Sequence, residues 1–62
     1  MIAEGQMVRF KTNVAGWHVR NPLHIYTALK VEGPDARERM VLILHPGGKT
    51  SWEFFHNLTP LF

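Results

Sequence analysis

The segment RMVLILHPGGKTSWEFF, residues 39–55, is the most informative part of this 62-residue chain for predicting its fold. This segment predicts two strands joined by a Pro-Gly-Gly turn, because β-branched, aliphatic and aromatic residues flank a cluster of turn-forming residues. A half-buried hairpin should alternate apolar and polar residues. Here large apolar side chains occupy both sets of alternating positions, so the stretch predicts a hairpin with two apolar faces.

Pairing the two strands outward from Gly47 and Gly48 sorts the side chains into two sets, since successive side chains on a strand point to opposite faces. One predicted face holds Val41, Ile43, His45, Thr50, Trp52 and Phe54. The other predicted face holds Met40, Leu42, Leu44, Ser51, Glu53 and Phe55. Only one face can point into the core of so small a domain, and a contiguous apolar patch left outside usually marks an interface.

We therefore expect the hairpin to carry a protein interface. Because the sequence does not say which face is buried, the predicted interface residues come from both faces: Met40, Leu42, Leu44, Trp52 and Phe55. Two alternatives stay open: Trp52 or Met40 caps the end of a barrel, or a bulge exchanges the faces partway along the strands. A short chain gains most from a partner, which predicts a homo-oligomer or docking on a larger protein.

Short strands also account for the rest of the chain. We predict strands at 6–11 and 23–32, a long loop at 12–22, a polar turn at 33–38, and a tight turn with a last short strand at 57–62. Five strands within one domain, residues 1–62, predict an all-β fold. We expect a small antiparallel barrel, because such a sheet must close on itself to bury one face.

Alternation within the first two strands predicts which side chains share a face. In the first strand Val8 and Phe10 point one way, and Met7, Arg9 and Lys11 point the other. In the second strand Leu23, Ile25, Thr27, Leu29 and Val31 form one face, and His24, Tyr26, Ala28, Lys30 and Glu32 form the other.

The order of these segments resembles that of the SH3-like barrels. The opening GQMVRFK, the long loop after it and the closing FFHNLTPL carry the likeness. Members of that family often begin with a Gly-x-x-Val-Arg strand, and their last strand follows a single helical turn ending in a Leu. Short barrels of this kind include accessory subunits without catalytic residues, so the resemblance implies a binding or scaffolding role.

Two motifs within the hairpin suggest enzymes, but both depart from their families. The layout around His45 and Pro46 is similar to the final hairpin of the type II dihydrofolate reductases, whose active-site strand carries Val-Gln-Ile-Tyr. This chain has Thr-Ser-Trp-Glu at 50–53, so no catalytic residue is carried over. GGKT, residues 47–50, lacks the first Gly of a phosphate-binding loop and precedes a strand, which predicts an ordinary turn. We expect no enzymatic activity.

Composition further limits the classes of protein to which this chain can belong. The chain has no Cys, which excludes disulfides and thiolate zinc sites. Its four His have none of the spacings of a metal site, so we expect neither metal nor cofactor. The longest apolar run, MVLIL, is far shorter than the ~20 residues of a membrane helix. With no signal-peptide pattern at the start, we expect a soluble, cytoplasmic protein without membrane association.

The basic residues support an alternative function. The formal net charge is +2, and Arg9 and Lys11 share the outward face of the first strand. Basic side chains beside exposed aromatics are typical of surfaces that bind single-stranded DNA or RNA. The predicted nucleic-acid contacts are Arg9, Lys11, Trp17, Arg20 and Tyr26. The opposing interpretation is a solvated face with a Trp at the barrel end, favoured by the five acidic residues that dilute the field.

Overall fold

The computed structural model describes residues 2–35 and 38–61 and contains five strands. These are β1 (Met7–Phe10), β2 (Tyr26–Glu32), β3 (Met40–Leu44), β4 (Thr50–Phe54) and β5 (Leu58–Pro60). One turn of 3-10 helix, Phe55–Asn57, separates β4 from β5. The predicted all-β class with five antiparallel strands is confirmed.

The strands form one sheet in the order β4-β3-β2-β1-β5, with every pair antiparallel. Within the described residues β4 and β5 lie at opposite edges, so hydrogen bonds do not close the sheet and the predicted closed barrel is not confirmed. The two edges differ. β4 has five residues and no Pro, whereas β5 has three residues and ends at Pro60.

The core lies on one face of this sheet. Its buried apolar members are Ile2, Val8, Phe10, Tyr26, Ala28, Val41, Ile43 and Leu58. In the described residues no second layer covers them, so the sheet must curve around its own inner face. The predicted pairing of Val8 with Phe10 on one face of β1 is confirmed, because both are buried while Met7 and Arg9 are exposed.

The second strand begins later than predicted and buries the less apolar of its two faces. Pro22 lies in a turn that Asn21 stabilises: the Leu23 amide donates to Asn21 Oδ1 at 2.9 Å, and the His24 amide donates to the Asn21 carbonyl at 3.2 Å. The strand therefore starts at Tyr26 and turns Tyr26 and Ala28 inward. A bulge between Ala28 and Lys30 shifts the register, after which Val31 pairs with buried Val41.

The predicted register of the β3–β4 hairpin is wrong by one residue. Leu44 pairs with Thr50, and the His45 amide donates to the Lys49 carbonyl at 2.7 Å, which leaves a three-residue loop. Gly47 and Gly48 have φ of 102° and 99°, so the predicted turn residues are confirmed. The odd loop length turns β4 over relative to β3, because a one-residue slip moves every side chain to the opposite face.

Candidate functional site

The corrected register gathers large apolar side chains on the solvent side of the hairpin. We call this set the outer face; it consists of Met40, Leu42, Leu44, Thr50, Trp52 and Phe54. Met40 lies opposite Phe54, and Leu42 lies opposite Trp52. Trp52 keeps 44% of its surface exposed and Phe54 keeps 50%. Four of the predicted interface residues, Met40, Leu42, Leu44 and Trp52, therefore share one face.

Phe55, the fifth predicted interface residue, does not lie on the outer face. β4 ends at Phe54, so alternation stops there and Phe55 belongs to the 3-10 turn. Its ring packs against the core, and the Arg39 guanidinium lies 5.6 Å from the ring centroid. Phe54 takes its place on the outer face and stacks on His56 with centroids 5.4 Å apart. Sequence reasoning missed Phe54 because Pro46, Gly47 and Gly48 suit a two-residue loop as well as the three-residue loop that is present.

The inner side of β4 is polar, although it faces the core. Ser51 lies opposite Ile43, and Glu53 lies opposite Val41. Glu53 is only 7% exposed and accepts a hydrogen bond from Arg20 Nε at 3.0 Å. The Arg20 amide in turn donates to the Gly16 carbonyl at 2.7 Å, which fixes this part of the long loop. The ion pair therefore joins the loop to the inner face of β4.

A pocket opens on this inner side, between the long loop and the hairpin turn. Its volume is about 560 Å³, and we call it the histidine pocket because His18, His24 and His45 line it. His45 is held in place from two sides: its Nε2 lies 2.7 Å from Ser51 Oγ, and its ring packs edge-on against Tyr26 with centroids 5.0 Å apart. Sequence spacing missed this cluster because its members come from distant segments.

The five predicted nucleic-acid contacts do not form one surface. Arg9, Lys11 and Trp17 are exposed. Arg20 is engaged by Glu53 and lines the histidine pocket. Tyr26 is 2% exposed and packs edge-on against Phe10 in the core, so the interpretation of its ring as a stacking platform is corrected. Tyr26 shares the buried face of β2 with Ala28, and the alternation of the strand places both side chains in the core.

Within residues 2–35 and 38–61, no group of three or more His, Asp or Glu is placed to hold a metal ion. No helix in this part of the chain is long and apolar enough to span a membrane. Comparison with protein-family models, with curated proteins and with solved structures found no match to this chain.

Proposed function

We propose that this protein is a small interaction module that acts by binding, and that its outer face packs against the outer face of a second copy. The observation that carries the proposal is the orientation of β4. This strand turns Ser51 and Glu53 toward the core and presents Trp52 and Phe54 to solvent. Strands in a monomer normally do the reverse, because apolar groups gain free energy when they leave water.

The energetic argument rests on the size of these side chains. Full burial of a large apolar side chain contributes about 1.5–3 kcal/mol, and Trp52 and Phe54 forgo about half of theirs in the monomer. Met40, Leu42 and Leu44 lie beside them and are partly exposed. A contiguous apolar patch of this kind usually marks an interaction site.

The solvent side of the sheet continues from the outer face of the hairpin onto the neighbouring strands. Thr27 pairs with Leu44 and with Met7, so the face continues across β2 to the exposed Met7 on β1. A standard interface takes ~800 Å² from each partner, which is about one fifth of this chain's surface of 4254 Å².

Charge complementarity favours a second copy as the partner. Lys30 and Glu32 border the outer face on β2, where they pair with Leu42 and Met40. Both are exposed and carry opposite charges two residues apart. A two-fold axis through the face can bring Lys30 of one copy to Glu32 of the other, so the patch is complementary to itself.

An SH3-like fold is part of this proposal. The strand order, the long loop between β1 and β2, and the 3-10 turn followed by Leu58 all support it. That resemblance implies a binding or scaffolding role without catalysis. The replacement of the reductase motif at 50–53 by Thr-Ser-Trp-Glu supports the same conclusion.

Sedimentation equilibrium tests the proposal, and the two Trp residues offer a matched pair. Trp52→Glu places a carboxylate in the proposed interface, and we expect it to weaken dimerisation by about tenfold or more. Trp17→Glu makes the same change at a Trp of similar exposure on the long loop, and we expect it to leave the dimer intact. A folded wild-type protein that stays monomeric throughout the micromolar range would refute self-association.

A further inference from the structure

The histidine pocket lies mainly on the inner side of β4, because Ser51 and Glu53 point away from the outer face, and it meets the outer face only at its border, at Thr50. Its volume of about 560 Å³ falls within the usual range for small-molecule sites. Val19 and Pro46 give it apolar walls, and histidine, arginine and lysine side chains give it polar ones. This combination is typical of a site for a small ligand with one polar group.

The charges that line the pocket point to the sign of that ligand. Glu53 is the only acidic residue among the described lining residues, and Arg20 already pairs with it. Lys49 adds a positive charge, and His18, His24 and His45 are neutral or positive. Every charge that is not compensated within the pocket is therefore positive, which favours an anion.

Arg20 is prepared to bind such an anion. Glu53 Oε1 accepts a hydrogen bond from Arg20 Nε, and no other side chain among the described residues forms a hydrogen bond with this guanidinium. Both terminal amino groups therefore keep their donors, and the side chain remains 37% exposed. A guanidinium whose position is fixed before binding loses little conformational entropy when it makes paired hydrogen bonds to a phosphate or carboxylate.

The floor of the pocket is equally fixed. Phe10, Tyr26 and His45 form a series of edge-on ring contacts, with centroids 5.1 Å and 5.0 Å apart, that runs from the core to the pocket. Ser51 Oγ holds the His45 ring at its Nε2 atom. A hydroxyl and an imidazole thus face the same space as Arg20 and Lys49.

We propose that the histidine pocket binds a small organic anion, a phosphate or carboxylate group on a compact apolar body. The anion is held by Arg20, with Lys49 and the imidazoles around it, and the apolar body contacts Val19 and Pro46. The site opens on the inner side of β4, whereas the proposed dimer uses the outer face, and Thr50 lies at the border of the two.

Two-dimensional NMR of the full chain tests the site with three probes: phenyl phosphate, benzoate and neutral phenol. We expect saturable shifts at His45, Ser51 and Arg20 with one or both anions and none with phenol. Phosphate and carboxylate sources are distinguished by which anion binds more tightly. Phenol binding as tightly as the anions would overturn the proposal, as would a lack of saturable shifts with either anion.

Three variants, one of them a matched control, locate the charge that binds the anion. Arg20→Gln with Glu53→Gln removes one positive and one negative charge, so net charge is unchanged, and we expect binding to weaken about tenfold. Lys49→Gln should weaken binding about threefold, whereas Lys11→Gln, the same charge change outside the pocket lining and the outer face, should not. Equal effects of the two Lys variants would indicate diffuse attraction and contradict a site.

An oligothymidylate probe separates this site from a nucleic-acid surface. If it binds far more tightly than phenyl phosphate, with shifts centred on Arg9 and Lys11 and a steep loss of affinity with salt, the small-anion proposal is wrong. Binding of phenyl phosphate at His45 and Arg20 without comparable oligonucleotide affinity supports it.

Discussion

At the scale of single residues, Glu53 has the most unusual environment among the described side chains. A carboxylate that leaves water loses hydration free energy and needs a charged or hydrogen-bonding partner. Arg20 supplies that partner from a position 33 residues away in sequence. The pair therefore fixes the long loop against the sheet as well as neutralising a buried charge.

Removing the cation alone should destabilise the fold. We expect Arg20→Gln to lower the free energy of unfolding by about 1–3 kcal/mol, since Glu53 keeps its charge without its partner. The lower part of that range is favoured because Arg20 is partly exposed and the pair is screened by solvent. Urea denaturation followed by circular dichroism measures the change.

The double variant is the control for this effect. With Glu53→Gln added, no buried charge remains, and stability should recover by at least half of the loss. A double variant less stable than Arg20→Gln alone would mean that the carboxylate has a second role in the fold.

At the scale of elements, the β3–β4 hairpin separates what sequence can predict from what it cannot. Its strands, its turn residues and the shared face of Val41 with Ile43 were all predictable from composition and alternation. The parity of the loop was not, because Pro46, Gly47 and Gly48 suit both a two-residue and a three-residue loop. A difference of one residue in loop length decides which side of β4 faces the core.

The second strand shows the same limitation from a different cause. Leu23 and Ile25 alternate like strand residues, yet they are 84% and 53% exposed. The side chain of Asn21 draws Leu23 into a turn, and the bulge after Ala28 exchanges the faces. Local side-chain hydrogen bonds and bulges override alternation, so a binary pattern locates strands better than it identifies their buried face.

The turn between β2 and β3 makes a sharper prediction. Gly33 has φ of 125°, and a Cβ there would lie 2.7 Å from both the Arg39 Cα and the Glu38 carbonyl oxygen. Gly33→Ala therefore combines backbone strain with a clash against backbone atoms that cannot rotate away. We expect a loss of about 2–4 kcal/mol in the free energy of unfolding, measured by urea denaturation.

Gly5→Ala isolates the backbone term. Gly5 also has a positive φ, 86°, but a Cβ there would meet no atom within 4 Å. This variant should lose only about 1–2 kcal/mol. Equal losses at the two positions would show that the turn after β2 adjusts its backbone to accept a side chain.

At the scale of the whole molecule, self-association should make stability depend on concentration. Only the folded chain presents the outer face, so dimer formation stabilises the native state by mass action. Above the dissociation constant, a tenfold rise in protein concentration should add about 1.4 kcal/mol per dimer to the free energy of unfolding. Urea midpoints at two concentrations, read for wild type and Trp52→Glu, measure it.

The variant serves as the reference for that experiment. At concentrations between the dissociation constants of wild type and variant, Trp52→Glu should show one midpoint, because its weakened association leaves it monomeric there. A wild-type midpoint that is equally insensitive to concentration would contradict a dimer, whatever the sedimentation data suggest at a single loading.

The candidate sites differ in how far sequence could predict them. Sequence could predict four of the outer-face residues because they belong to a dense apolar stretch in a short chain: Met40, Leu42, Leu44 and Trp52. The histidine pocket could not be predicted, because His18 and His24 flank a loop whose path depends on Arg20 meeting Glu53. A contact between distant segments leaves no periodic signal in the sequence.

The two edge strands of the sheet differ, and this difference limits how many chains strand pairing can join. β5 is three residues long and ends at Pro60, which lacks the amide hydrogen that an added strand would need. Among the described strands only β4 offers a full-length free edge, so we expect strand pairing between copies to join β4 to β4. Such a contact is satisfied after two chains and leaves no free end for a third. Any continuous sheet this protein builds should therefore terminate as a pair instead of extending into a fibre.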